Sequence, residues 1–292
     1  MQFQLKIALA SAALLLAPIF AFAAEGTFYR TLNVTGSTYI YVDTGSGNIH
    51  VSPGSDSEVR IAGHVKAGNN GWHVGWNSDD SDGSPDERVK KVVDNPPIQQ
   101  SGSTIRIGKH SGMVRNVSID YEITVPAKSQ IEANSGSGDV RIHGIGGGVK
   151  AESGSGNIEA SEVGGHVSLE TGSGDIRGDL SAARDVKAHT GSGNVHLGNV
   201  QGGLKAATGS GNIDVSGKPL VPWKLEAGSG DVTLNTGNAH FTVDAETGSG
   251  NVHSDPPMTV HGTQERHHLS GDINGGGAMV RLGTGSGNIT IH

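Results

Sequence analysis

Through the second half of the chain, apolar and polar residues alternate in runs of three to five. In Val149-Lys150-Ala151-Glu152-Ser153 the apolar or small residues hold one parity and the charged ones the other. Ile158-Glu159-Ala160 repeats the arrangement after a glycine-rich turn. A period of two marks a strand with one buried face and one wet face. No apolar spacing of three and four persists, and each glycine would cost a helix ~1 kcal/mol. The pattern predicts short strands, too short to bury a face alone.

What joins the runs is one motif: a small polar residue, Gly-Ser-Gly, Asn or Asp, then Ile or Val. Its Asn or Asp falls at Asp139, Asn157, Asp175, Asn194, Asn212, Asp231, Asn251 and Asn288, with a worn copy at Asp272 and an isolated early one at Asn48. From Asp139 onward the steps are 18, 18, 19, 18, 19, 20, 21 and 16 residues. Such regularity predicts an all-β fold, a single-stranded parallel β-solenoid with about 18–19 residues per coil, expected to wind right-handed. Laps stacked at the ~4.8 Å strand spacing would share one narrow core of Val, Ile, Leu and Ala. The corner glycines are expected to supply positive φ. Each Asn or Asp is expected to bond the turn and its counterpart one lap away, forming a structural ladder. In sequence order no two Asp rungs are adjacent, and an Asn amide can donate where stacked carboxylates would repel.

Residues 24–134 are less regular. Strands are expected at 27–34, 37–42, 48–51, 59–65 and 118–125, with a short helix around 87–93 inside a polar insertion at 66–100. These read as irregular N-terminal coils and a cap ahead of the regular repeats at 135–292, a separate small β domain being the alternative. Trp72 and Trp76 in the insertion either cover the open end of the core or stack on a partner. Residues 288–292 end on a strand, which predicts an open terminal coil and end-to-end pairing of copies.

Composition sharpens this picture. The chain holds 47 glycines, with hydrophobic residues at 34% and aromatics at 4%. Scattered glycines would mean disorder, but these keep register. Residues 1–23 read as a signal peptide: Lys6, an apolar stretch over 7–22, and Ala21-Phe22-Ala23 as cleavage site. Pro18 interrupts the stretch, which is short for a membrane span. The absence of cysteine excludes disulfides and a lipid-modified cysteine. Export follows, with the periplasm favoured over secretion or surface display, since no membrane helix or anchoring signal follows the repeats. The net charge of −8 argues against nucleic acid and anionic lipid as partners.

Candidate chemistry is sparse. Arg141, Glu159, Arg177, His196 and Asp214 should stack as an outward column in which opposite charges meet. Lys187, Lys205 and Lys224 should stack in three successive laps, either as a stripe for an anionic polymer or as solvated cations balanced by Glu152, Glu170 and Glu226. Calcium-binding β-rolls repeat every nine residues with a different Asp placement, so calcium is not expected in these corners. His261, Glu265, His267 and His268 lie close in sequence, without a firm ligand geometry. No cofactor, metal or catalytic residue is expected.

The run YEITVPAKSQIEANSGSGDVRIHGIGGGVKAESGSGNIEA, residues 121–160, resembles the bacterial "putative adhesin" β-solenoid family, exported domains of unknown function. The entry strand with Val-Pro-Ala and the tandem Thr-Gly-Ser-Gly-[Asn/Asp]-[Ile/Val] turns carry the likeness, which runs from about residue 34, interrupted by 66–100. The resemblance implies the solenoid fold and a non-enzymatic, adhesin-like role with a protein or glycan partner in the envelope. A self-assembling envelope protein is the alternative, and a polysaccharide-active β-helix enzyme a minor one.

Overall fold

A computed structural model describes residues 24–68, 83–108, 116–180, 182–261 and 265–292. The expected signal peptide, Trp72 and Trp76 lie outside the described residues. Each lap lays one strand in each of two facing sheets. Val149–Ser153 belongs to a thirteen-stranded sheet and Ile158–Ser161 to a twelve-stranded one, counted among the described residues. The Gly-Ser-Gly corner joins them. The register lays like on like. Ile131, Val149, Val167, Val186, Leu204 and Trp223 stack in one sheet. Val140, Ile158, Ile176, Val195, Ile213 and Val232 stack in the other. All twelve are buried, and they form the seam of the core. The architecture is a parallel β-solenoid.

The early corner is not isolated in space. Tyr39–Thr44 and Ile49–Pro53 pair in parallel with Gln130–Ser135 and Val140–His143, so the first lap sits directly on the regular stack. The chain between them loops out to build the N-terminal end. There Glu58–Ala67 runs antiparallel between Ala24–Asn33 and Val117–Val125. Residues 66–100, expected as a polar surface insertion, contain a helix, Pro85–Asp94, packed on Ala24–Asn33 and Glu58–Ala67. Ser84 and Glu87 form a capping box at its start, and Val89 and Val92 turn into the core. The short helix expected there is present; only its burial corrects the expectation, since the described part of the insertion covers apolar surface.

The C-terminal end corrects two further expectations. Ala278–Ser286 lies between Trp223–Ser229 and Phe241–Ser249, parallel to both. Ile289–Ile291 likewise lies between Val232–Asn235 and Val252–Ser254. The strand expected to present an open edge is therefore interior, and the preceding lap occupies the outer position. Asp272 is not a corner either. It lies in His268–Ile273, antiparallel to Phe241–Ser249 and to Met258–Val260. The reason is steric: Leu269 stands where the other copies have their first glycine. A Cβ there would meet the carbonyl oxygen of the neighbouring lap, as at Gly136, where the distance would be 2.1 Å.

The same geometry revises the role of glycine. Gly138 and Gly156 do not have positive φ. A Cβ on Gly156 would stand 2.0 Å from the Gly138 carbonyl oxygen, and one on Gly138 2.0 Å from that of Gly47. The early corners need glycine because backbones stack in contact. A φ of +139°, at Gly230, joins this requirement only in the later laps.

Candidate functional site

The corners form a continuous polar edge. Each rung presents its side-chain Oδ1 to the backbone N–H of the next rung. The Asp139 amide donates to Asn48, Asn157 to Asp139, Asp175 to Asn157 and Asn194 to Asp175, each at 2.9 Å. The series continues from Asn212 to Asn194 and from Asp231 to Asn212 at 2.9 Å, then from Asn288 to Asp231 at 2.7 Å. Asn251 closes it on Asn288 at 3.1 Å. At the other end the Asn48 amide donates to Asp120 at 2.7 Å, a rung that the repeat motif does not reveal. Its one trace in the sequence is an Asp just before an inward-facing residue, Tyr121, which stacks on Ile49. In spatial order the ladder reads Asp120, Asn48, Asp139, Asn157, Asp175, Asn194, Asn212, Asp231, Asn288, Asn251. No two carboxylates adjoin.

These groups are occupied by the fold. The Asn194 amide holds the Asp175 carboxyl below its ordinary range, against the effect of burial and with help from Arg177 at 2.8 Å. A second, buried ladder lies beside the first: the Ser153, Thr171 and Thr190 hydroxyls donate to the carbonyls of Gly138, Gly156 and Gly174 at 2.8–3.0 Å. The outward column of Arg141, Glu159, Arg177, His196 and Asp214 stacks in register. Arg141 lies 3.6 Å from Glu159, and His196 3.4 Å from Asp214. His261 pairs with Asp272 and His268 with Asp244, each at 3.0 Å, so they turn to different partners. Among the described residues no group of three or more His, Asp or Glu could hold a metal ion.

Binding geometry appears on the outer face of the thirteen-stranded sheet. An open groove of about 1490 Å³ crosses the starts of six successive strands, from Tyr39 to Lys205, and ends on residues 220–222, just before the seventh. Six steps at the ~4.8 Å strand spacing make it roughly 29 Å long. Gly148, Gly165 and Gly203 leave its floor low, and Leu220 and Val221, 69% and 42% exposed, form an apolar shoulder at one end.

Its charges are arranged unevenly. At the Tyr39 end they satisfy one another: Tyr39 donates to Glu132, and Lys150 reaches Glu132 at 3.0 Å and Glu152 at 2.9 Å. These bonds hold the Glu132 carboxyl below its ordinary range, Tyr39 contributing most, and raise the Lys150 ammonium. Toward the other end the cations outnumber their partners. Lys187, Lys205, Lys224 and Arg281 stand opposite one another in four consecutive strands. Lys187 pairs with Glu170 and Lys224 with Glu226, each at 2.7 Å. The glutamate column breaks between them, because His189 and Ala207 stack where Glu would stand. Lys205 and Arg281 thus have no ion pair among the described residues. Lys187, Lys205 and Arg184 line the groove; Lys224 lies beyond it.

No helix among the described residues is long and apolar enough to cross a membrane. Among proteins of curated function none matches the chain. Solved structures similar to it include a "putative adhesin" from Bacteroides fragilis, 15% identical, with 91% of this chain and 97% of that one covered and a TM-score of 0.46. A "putative adhesin" from Parabacteroides distasonis is 12% identical over 91% and 97%, with a TM-score of 0.38. A "putative cell adhesion protein" from Clostridium sporogenes is 13% identical over 91% and 99%, with a TM-score of 0.27. The Toastrack DUF4097 profile matches residues 97–292, two thirds of the chain and all of its regular laps. The chain belongs to the Toastrack DUF4097 family.

Proposed function

We propose that the protein is an exported, non-enzymatic binding module of the bacterial envelope, adhesin-like in role and resident in the periplasm. The observation that carries this reading is the groove. It is long, open and laid across the starts of successive strands of one sheet, with charged side chains and an apolar shoulder available for contact. A solenoid suits such a task, because stacked laps repeat the same outward position at fixed spacing. The polar corners, by contrast, spend their hydrogen bonds on the next lap, which makes them scaffold.

The test is retention on immobilised protein of separated envelope fractions: cell-wall glycan, other envelope polysaccharide and membrane-protein extract. Specific retention of one fraction, competed by free protein, is expected. If no fraction is held above an inert solenoid control, the binding reading is wrong. Fusion of residues 1–23 to a reporter active only outside the cytoplasm tests export, and an inactive reporter refutes it.

A further inference from the structure

We infer that the ligand of this groove is an extended acidic polysaccharide, lying along the solenoid axis with its carboxylates on Arg184, Lys187 and Lys205. The inference rests on the binding-module reading above and names its ligand class. Charge is the first argument. The chain carries a net −8, yet four cations stand opposite one another in consecutive strands. Like charges so placed destabilise a sheet. Elsewhere the outward columns set opposite signs together, as at Arg141 and Glu159 or Glu132 and Lys150, or give stacked like charges partners of their own, as at Glu152 and Glu170, which pair with Lys150 and Lys187. The exception coincides with the gap in the glutamate column and with the groove. A polyanion would supply the missing charges.

Spacing is the second argument. Lys187 and Lys205 stand in adjacent laps, ~4.8 Å apart, close enough for one carboxylate to bridge them. Side chains on one face of an extended peptide recur at ~6.8 Å and fall out of step with the laps. An extended peptide also binds a sheet through its main chain at an open edge. The strands under the groove are paired on both sides and offer no such edge. A sugar chain needs only what the groove presents: cations, a low glycine floor and the apolar Leu220 and Val221 for the C–H face of a ring.

The experiment measures binding of the purified full chain to polygalacturonate by calorimetry. Fully methyl-esterified polygalacturonate and poly-L-glutamate are the comparison polymers. Polygalacturonate should bind, its neutral ester at least about tenfold more weakly, and added salt should weaken the acidic polymer's binding. Lys187→Gln with Lys205→Gln should weaken it about tenfold. Lys90→Gln, on the helix Pro85–Asp94 and outside the groove, should change it less than about twofold. Thermal unfolding of these exposed-site variants should match the parent, which excludes misfolding as the cause. No binding of polygalacturonate, equal binding by the double variant, or equal binding of poly-L-glutamate would overturn the inference. If the parent and the double variant retain the same envelope fraction equally, the binding-module reading survives and this ligand assignment fails. Retention of nothing removes both.

Discussion

The backbone amide of Asp139 donates to Asn48 Oδ1 at 2.9 Å, although 91 residues separate them in sequence. One lap separates them in space, and that bond is the same as the one between Asp139 and Asn157, only 18 residues apart. The ladder ignores chain order and respects only stacking. Its alternation of amide and carboxylate is therefore a property of the assembled stack.

Asn157→Asp tests that alternation. The variant sets three carboxylates in successive rungs, Asp139, 157 and Asp175. Like charges at this spacing cost up to about 1 kcal/mol for each adjacent pair. Denaturation at pH 7 should show a loss of about 1–2 kcal/mol, partly recovered in 1 M salt, where screening is strong. Full stability at low salt would mean that the alternation is incidental.

Asp175 gives a pH signature. Its carboxyl is held low in the folded chain, first by the Asn194 amide and then by Arg177, with burial opposing. A depressed carboxyl contributes stability above its unfolded value and loses it as pH falls through the folded one. Asp175→Asn should thus be less stable than the parent at pH 7, by roughly 0.5–1 kcal/mol for a partly exposed site. The gap should close as pH falls below ~4. Parallel stability curves from pH 7 to 2 would refute the assignment.

Gly156→Ala should be severe. The new Cβ would stand 2.0 Å from the Gly138 carbonyl oxygen, which belongs to the fixed backbone of the next lap. Overpacking of this kind costs about 1–3 kcal/mol or more. The same change at Gly102 meets nothing within 4 Å, but there φ is +58°, so a smaller loss of about 1 kcal/mol is expected from strain alone. Chemical denaturation of the two variants checks the order.

Ala227 marks a missing bond in the buried hydroxyl ladder. It stacks between Thr208 and Thr284, whose hydroxyls donate to Gly193 and Gly230 carbonyls at 2.8 Å. Ala227→Thr should supply the absent donor to Gly211 and raise stability by about 0.5–1.5 kcal/mol. A lowered melting temperature would show that this lap has no room for it.

Ile289 distinguishes an interior last lap from a frayed one. It is fully buried between Val232 and Val252. Ile289→Ala should cost about 2–5 kcal/mol, as in any closed core. A loss under about 1 kcal/mol would fit a strand at the open end of the stack, where local opening is easy.

The strand alternation, the corner motif and the lap length were legible in the sequence because every lap must meet the same condition. Val149, Val167 and Val186 lie on one another, so each carries the same parity and the same two corner glycines five and seven residues later. The Lys187, Lys205 and Lys224 column followed from that register. What filled the groove around it did not, since Tyr39 and Leu220 are brought to one surface by laps far apart in sequence. Asp120 escaped notice because its strand lacks the glycine corner. Asp272 misled because three residues of the motif survive around it, while Leu269 forbids the turn.

By itself the sequence determined that the chain would coil, how long each lap would be, which side chains would face inward and which would line the corners. Only the tertiary structure decided the order of the laps: residues 39–53 beneath 130–143, and 278–291 slipped between 223–235 and 241–254. The reason lies in periodicity. Laps that present the same apolar face and the same corner fit on one another interchangeably, so local pattern fixes the step of the staircase. The packing of the two ends, with their antiparallel strands and capping helix, fixes which step comes first and which comes last.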